Sequence, residues 1–430
     1  MRRRTAISVT IAIAAAVPSL FSMPASAAPP AGACRDPEPA RPVIADLPWA
    51  QQLLDLRSTW RHSTGAGVVV AVLDSGVDAD HRQLRGRVLA GRDFFLVGDL
   101  RGNFDCVSHG TAVGSIIAAG PADGVGFRGV APGARILPVR ITDRELNDQG
   151  EPSPIDPAVV ARGIRYAADR GAKVINLSLS GYGDFPAIRN AIRYAQSKDA
   201  LLVAAAGNRQ DSAPAASYPA AYPGVLGVGA IDIAGARSSG SQVGDHVDLV
   251  APGTAVVGAA RAGGHDYYDG TSFAAPFVAG TAALVRTAWP ELTAAQVAER
   301  LMATASPARG GRNSREYGAG VVDPYRAVTE RLSERDPLVL PEVALPAPDP
   351  AVVRTAAWWA RTGASAKFGA GVVALSLVLA GVLAWALPRG RRRRWRPGRA
   401  ERLPAAPSRD EPPEEIFLFP PPPVEERPRR

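Results

Sequence analysis

The 430-residue sequence predicts an α/β fold. The expected architecture is doubly wound and three-layered, with a mostly parallel central sheet and one C-terminal transmembrane helix. Three observations predict it. Short runs that are apolar at every position, VVVAVL at 68–73 and LLVAAA at 201–206, and the similar VINLSL at 174–179, suit strands covered on both faces. Segments with helical apolar spacing lie between these runs, and that alternation defines the doubly wound class. A separate 20-residue stretch at 368–387 carries no charge and, as a helix, spans about 30 Å, one bilayer core.

Taken in order, residues 1–27 combine a triple-Arg start, an apolar stretch and an Ala25-Ser26-Ala27 cleavage site, the parts of a signal peptide. Residues 28–60 form an N-terminal extension, rich in Ala and Pro as far as 42. The main domain is expected at 61–333. Its strands are the three runs above and a weaker ILPVR at 136–140. Its helices are expected at 111–119, 157–170, 186–197, 272–289 and 293–303. Asp156 is placed to cap the second of these, with Pro157 at its first position. The polar segment 144–154 reads as a surface insertion. Residues 334–367 read as a Pro-rich spacer, stiff and extended over 336–350. Residues 368–387 are the membrane helix, preceded by Trp358 and Trp359. The tail at 388–430 is basic and Pro-rich, and its PPPP run is either a docking segment or a passive solvated one.

The net charge of +8 invites a nucleic-acid reading, but all of it lies in Arg2–Arg4 and the tail. A neutral main domain argues against a phosphate-binding face. The Arg cluster after 387 instead sets topology: it stays cytoplasmic, so the main domain faces outward. Cys34 and Cys106 are the two cysteines of an exported chain, compatible with a disulfide or with two free thiols. Neither has the partner spacing of a metal site, no carboxylate-rich loop is assignable to calcium, and no cofactor is expected.

Four residues carry the chemistry. Asp74 ends the first strand run, where α/β folds place their sites, although Asp-Ser-Gly is also an ordinary turn. His109 stands before a Gly-Thr step at the start of an apolar helix. Asn208 ends AAAGN after a buried strand, and its amide can face developing negative charge. Ser272 sits in GTSFAAPFVAG at a helix mouth, where free N–H groups and partial positive charge surround a hydroxyl. Gly270 gives clearance there, and Ala274, Ala275 and Ala279 keep the helix thin. Pro276 is expected within the first turn or just beyond, where a missing N–H breaks few or no helical bonds.

The order Asp, His, Ser distinguishes this arrangement from the chymotrypsin and α/β-hydrolase orders. LDSGVD, HGTAVGSIIAA, AAAGN and GTSFAAPFVAG closely resemble the signatures of subtilisin-like serine proteases, the peptidase S8 family. GFRGVAPGARILPVR, NLSLSG and YPAAYPGVLGVGAID extend the resemblance over about residues 65–308. It implies a subtilisin-like fold and a serine endopeptidase with Ser272 as nucleophile, His109 as general base and Asp74 as its orienting partner. Asn208 and the Ser272 N–H would form the oxyanion hole. Ser178, Leu179 and Ser180 would pair with extended substrate, and Ala205, Ala206 and Gly207 would form the opposite wall of a small apolar pocket. Tyr218–Pro219 resembles a bond that is often cis in the family.

Only 46 residues separate Ala28 from Asp74, too few for a folding propeptide domain before the first strand. The order of extension, protease, spacer, membrane helix and basic tail resembles the mycosins, membrane-anchored proteases of actinobacterial type VII secretion systems. That resemblance implies an extension that wraps the protease and a Cys34–Cys106 disulfide tying it near His109. It also implies protein or peptide substrates and secretion-system membrane components as partners, with no nucleic acid. A mainly structural subunit and an independent cell-envelope protease are the alternatives.

Overall fold

The computed structural model describes residues 29–96, 99–143, 155–181, 183–210, 216–311, 313–332 and 350–392. The expected signal peptide, the insertion at 144–154, the spacer as far as 349 and the tail from 393 lie outside the described residues. In chain order the elements are α1 (Trp49–Leu53), α2 (Leu56–Thr59), β1 (Val69–Asp74), β2 (Arg92–Asp93), α3 (His109–Ala118) and β3 (Arg135–Arg140). Then come α4 (Pro157–Asp169), β4 (Val174–Leu177), α5 (Pro186–Ser197), β5 (Leu201–Ala205), β6 (Val225–Ile231) and β7 (Leu249–Pro252). A ribbon of β8 (Val256–Ala259) and β9 (His265–Tyr268) leads into α6 (Thr271–Ala288), α7 (Ala294–Ala303) and α8 (Pro324–Thr329), and α9 (Pro350–Arg392) follows.

The central sheet runs β2-β3-β1-β4-β5-β6-β7, and every pairing in it is parallel. β8 and β9 pair antiparallel, apart from it. Val70 sits between Ile136 and Val174 in register. Successive side chains of a strand point to opposite faces. Val70 and Val72 therefore join the core beneath α3 and α6 with Ile136, Val203 and Val278. Ala71 and Leu73 join the core beneath α4 and α5 with Ile164, Ile175, Ile192 and Leu202. Two covered faces are the reason the strand runs read as continuously apolar.

Local signals set the helix ends. The Asp156 carboxylate accepts from the Ala158 N–H at 2.8 Å, with Pro157 opening α4. Thr293 and Gln296 form a reciprocal capping box at α7. α6 passes through the core, and its fully buried Ala274, Ala275, Ala279, Ala282 and Ala283 let it lie close to the sheet.

The N-terminal extension is built into this unit. Ala50, Leu54 and Leu56 are buried in the α3–α6 core. Its backbone pairs with the domain through Glu38 N–H to Cys106 O, Arg41 N–H to Gly263 O and His265 N–H to Pro42 O. The disulfide joins Cys34 to Cys106 with Cα atoms 5.4 Å apart. Tyr218–Pro219 is cis.

The Pro-rich stretch expected to be extended lies, as far as 349, outside the described residues. Residues 350–367 are helical and continuous with the apolar stretch in α9. Past Pro350, which fits a first helical position, the run AVVRTAAWWARTGASAK has no proline and several strong helix formers, so helix wins. Within α9, Ala366–Arg392 is long and apolar enough to cross a membrane, with mean hydropathy 2.3 over its most apolar window.

Candidate active site

Asp74 closes β1 at the carboxyl end of the parallel sheet and is 4% exposed. His109 opens α3 and is 7% exposed. Their side chains meet: His109 Nδ1 lies 2.7 Å from Asp74 Oδ1, which also accepts the Ser75 N–H at 2.7 Å. A carboxylate only accepts, so it holds the proton on Nδ1 and makes Nε2 the basic nitrogen. The close approach depends on Gly110, where a Cβ would fall 2.0 Å from the Gly76 carbonyl and 3.0 Å from Asp74 Oδ1.

Ser272 is the second residue of α6 and is 8% exposed. Its neighbour Phe273 packs on the His109 ring with centroids 4.9 Å apart, which brings the histidine to the helix mouth. Asn208 follows β5. Its Oδ1 accepts the Thr271 N–H at 2.8 Å and the Thr271 hydroxyl at 2.9 Å. With the oxygen engaged on Thr271, the amide Nδ2 remains as a donor on the other side of the carboxamide. The Thr271 hydroxyl also accepts the Gly207 N–H at 3.1 Å, so one residue holds both ends of the Gly207–Asn208 turn.

The two expected pocket walls are adjacent in the fold. Ser178, Leu179 and Ser180 continue from β4, and Ala205 ends β5, its parallel neighbour, with Ala206 and Gly207 following. Gly181 and Tyr218 exchange two backbone hydrogen bonds, 2.8 and 2.7 Å, across the first wall. Ser178 is buried, and its hydroxyl is occupied within the protein: it accepts from Asn176 Nδ2 at 2.8 Å and donates to the Ser272 carbonyl at 2.6 Å.

That carbonyl also bears on Pro276, which falls just beyond the first turn, as expected, and takes one helical N–H away. α6 begins at Thr271, so Pro276 is its sixth residue and lies inside the helix. The missing N–H would have bonded the carbonyl four residues earlier, that of Ser272. Ser178 supplies the absent donor.

Sequence reasoning missed three supporting residues. Thr271 stands in GTSFAAPFVAG without a role of its own. Arg140, fully buried at the end of β3, pairs with Asp93 at 2.8 Å, bonds Asp143, and donates to the Ser75 carbonyl at 3.0 Å. Asp105 is buried beside the Asp74–His109 pair, and burial pushes its pKa up against four hydrogen bonds that favour the carboxylate.

The fold and this arrangement define a subtilisin-like serine protease, and the comparisons agree. The Subtilase family profile matches residues 65–320. Mycosin-4 of Mycobacterium tuberculosis is 39% identical over 315 residues, 65% of this chain and 68% of that protein. The thermophilic serine proteinase of Bacillus sp. strain AK1 is 39% identical over 63% of this chain, and the chain spans 64% of its length. The solved MycP3 protease from the type VII (ESX-3) secretion system is 35% identical with a TM-score of 0.59, covering 68% of this chain and 91% of that one. MycP1 from Mycobacterium smegmatis gives 32% and 0.60, over 72% and 94%. The chain belongs to the subtilase family, and within it is related to the mycosins.

Proposed function

We propose that this chain is a serine endopeptidase in which Ser272 attacks the scissile carbonyl and His109 Nε2 takes its proton. His109 then returns the proton to the leaving amine, while Asp74 holds the imidazole and balances its charge. Asn208 Nδ2 and the Ser272 N–H stabilise the tetrahedral oxyanion. Substrate lies extended between Ser178–Leu179–Ser180 and Ala205–Ala206–Gly207. The observation that carries the reading is the 2.7 Å His109–Asp74 bond, with His109 packed on Phe273 beside Ser272 at the α6 N-terminus.

The uncharged helix ending in an Arg cluster supports a single-pass anchor with the protease outside and the tail in the cytoplasm. With the likeness to Mycosin-4 and to the type VII MycP3 protease, it supports a mycosin role: processing exported proteins at the membrane and supporting the secretion complex. The test compares wild type and Ser272→Ala in a peptide library read by mass spectrometry, and both as baits with secretion-system membrane proteins. Cleavage lost with co-purification kept supports both roles. Unchanged cleavage would overturn the triad, and no co-purification would leave an independent envelope protease.

A further inference from the structure

We infer that Asp105 is the positioning residue that locks the Asp74 and His109 loops into one unit, an inference that rests on the triad proposed above. Asp105 is completely buried, yet both its oxygens are engaged by groups from those two loops. Oδ1 accepts the Ser75 hydroxyl at 3.0 Å and the Val107 N–H at 3.1 Å. Oδ2 accepts the Thr111 N–H at 2.8 Å and the Thr111 hydroxyl at 2.6 Å.

The direction of these bonds is settled by what else the hydroxyls do. Ser75 Oγ accepts the Gly110 N–H at 3.0 Å, and Thr111 Oγ1 accepts the Asp78 N–H at 3.0 Å. Each hydroxyl has one hydrogen, and with an N–H arriving on the oxygen that hydrogen goes to Asp105. The carboxylate thus receives four donors. Ser75 adjoins Asp74 and bonds its Oδ1, while Gly110 and Thr111 directly follow His109. Two short relays, Asp105–Ser75–Gly110 and Asp105–Thr111–Asp78, therefore cross between the strand end that carries Asp74 and the helix start that carries His109.

The segment that follows Asp105 receives the N-terminal extension. Cys106, the next residue, holds the disulfide to Cys34, and its carbonyl accepts the Glu38 N–H at 3.0 Å. Arg261 Nε donates to the Asp105 carbonyl at 2.9 Å, its guanidinium also reaches the Glu38 carbonyl, and its N–H reaches Ser108 Oγ at 3.1 Å. The extension thus bears on the His109 approach through the segment that presents Asp105. A neutral amide at 105 cannot reproduce the hub, because its NH2 would face a donor on whichever side it lies.

The experiment uses the full chain in detergent micelles and two readouts. One is the low-field proton NMR signal of the His109–Asp74 hydrogen bond; the other is steady-state hydrolysis of a peptide the wild type cleaves. Asp105→Asn should shift or broaden that signal and lower kcat by about ten- to a hundredfold, with KM within about twofold. Because Asp105→Asn can fail to fold, Thr111→Val and Thr111→Ser form a second pair. Thr111→Val, without the hydroxyl, should move the signal and kcat the same way, and Thr111→Ser, which keeps it, should restore both. An unchanged signal and kcat in Thr111→Val and folded Asp105→Asn, or equal losses in Thr111→Val and Thr111→Ser, would overturn the inference. The signal is read without substrate, so a wild type that shows it but cleaves nothing would count against the proposed activity and leave the Asp105 test intact.

Discussion

The Ser178 hydroxyl donates to the Ser272 carbonyl at 2.6 Å, the acceptor that Pro276 leaves without its helical N–H. A residue expected to serve the substrate wall is also the missing rung of the helix that carries Ser272. Losing a buried hydrogen bond that leaves a carbonyl unsatisfied costs about 1–3 kcal/mol. Ser178→Ala should therefore lower stability by about that amount and reduce kcat, measured by urea unfolding and steady-state kinetics. Adding Pro276→Ala returns an N–H donor to the same carbonyl, so the double variant should recover part of both losses.

Gly110→Ala tests how tightly the histidine loop is packed. The added Cβ meets the Gly76 carbonyl at 2.0 Å, and backbone cannot step aside as a flexible side chain can. The expected result is a fall in kcat of about a hundredfold or more, with circular dichroism showing the helix content retained.

Removing the Cys34–Cys106 disulfide, with its sequence separation of 72, frees a long loop in the unfolded chain. Chain-entropy reasoning puts the loss near 4 kcal/mol. Thermal melts of Cys34→Ser/Cys106→Ser against wild type, with and without reductant, should show a lower Tm for the variant, and reductant should lower the wild type alone.

His265 supplies a pH prediction at the seam with the extension. It is 3% exposed, its Nδ1 accepts the Ile44 N–H at 3.2 Å, and its Nε2–H points to Gln83 Oε1 at 2.6 Å. Burial, then His81 and Arg82, lower its pKa to about 4. The folded value lies below the unfolded one, so the unfolded state takes the proton first. Stability is then complete above about pH 6.5 and is lost as pH falls toward 4. Urea midpoints at pH 7 and pH 4.5 should differ by on the order of 2 kcal/mol from this residue, and His265→Gln should flatten that part of the slope.

Much of this was legible because two-sided burial writes itself into β1 and β5 as unbroken apolar runs, and into β4 as one interrupted only by Asn176. The four candidate site positions stand out in the sequence for a related reason: each breaks the pattern of its element at or just past a strand end, or at a helix start. β6 was hidden by Gly227 and Gly229, β7 by its terminal Pro252, and β8–β9 by shortness. α1 and α2 are four or five residues long and hold their place by tertiary burial of Ala50 and Leu56, which no local pattern announces. Asp105, Thr271 and Arg140 were illegible as support because their meaning lies in hydrogen bonds, most of them to distant segments.

The central claim is that Ser272, activated by His109, is the nucleophile. Its most direct test is intact-mass and peptide mass spectrometry of the full chain after treatment with a fluorophosphonate, which phosphonylates activated serine hydroxyls. The account predicts one adduct on the peptide carrying Ser272, its loss in Ser272→Ala, and strong slowing in His109→Ala. No adduct on wild type, or labelling unchanged by Ser272→Ala, would contradict it.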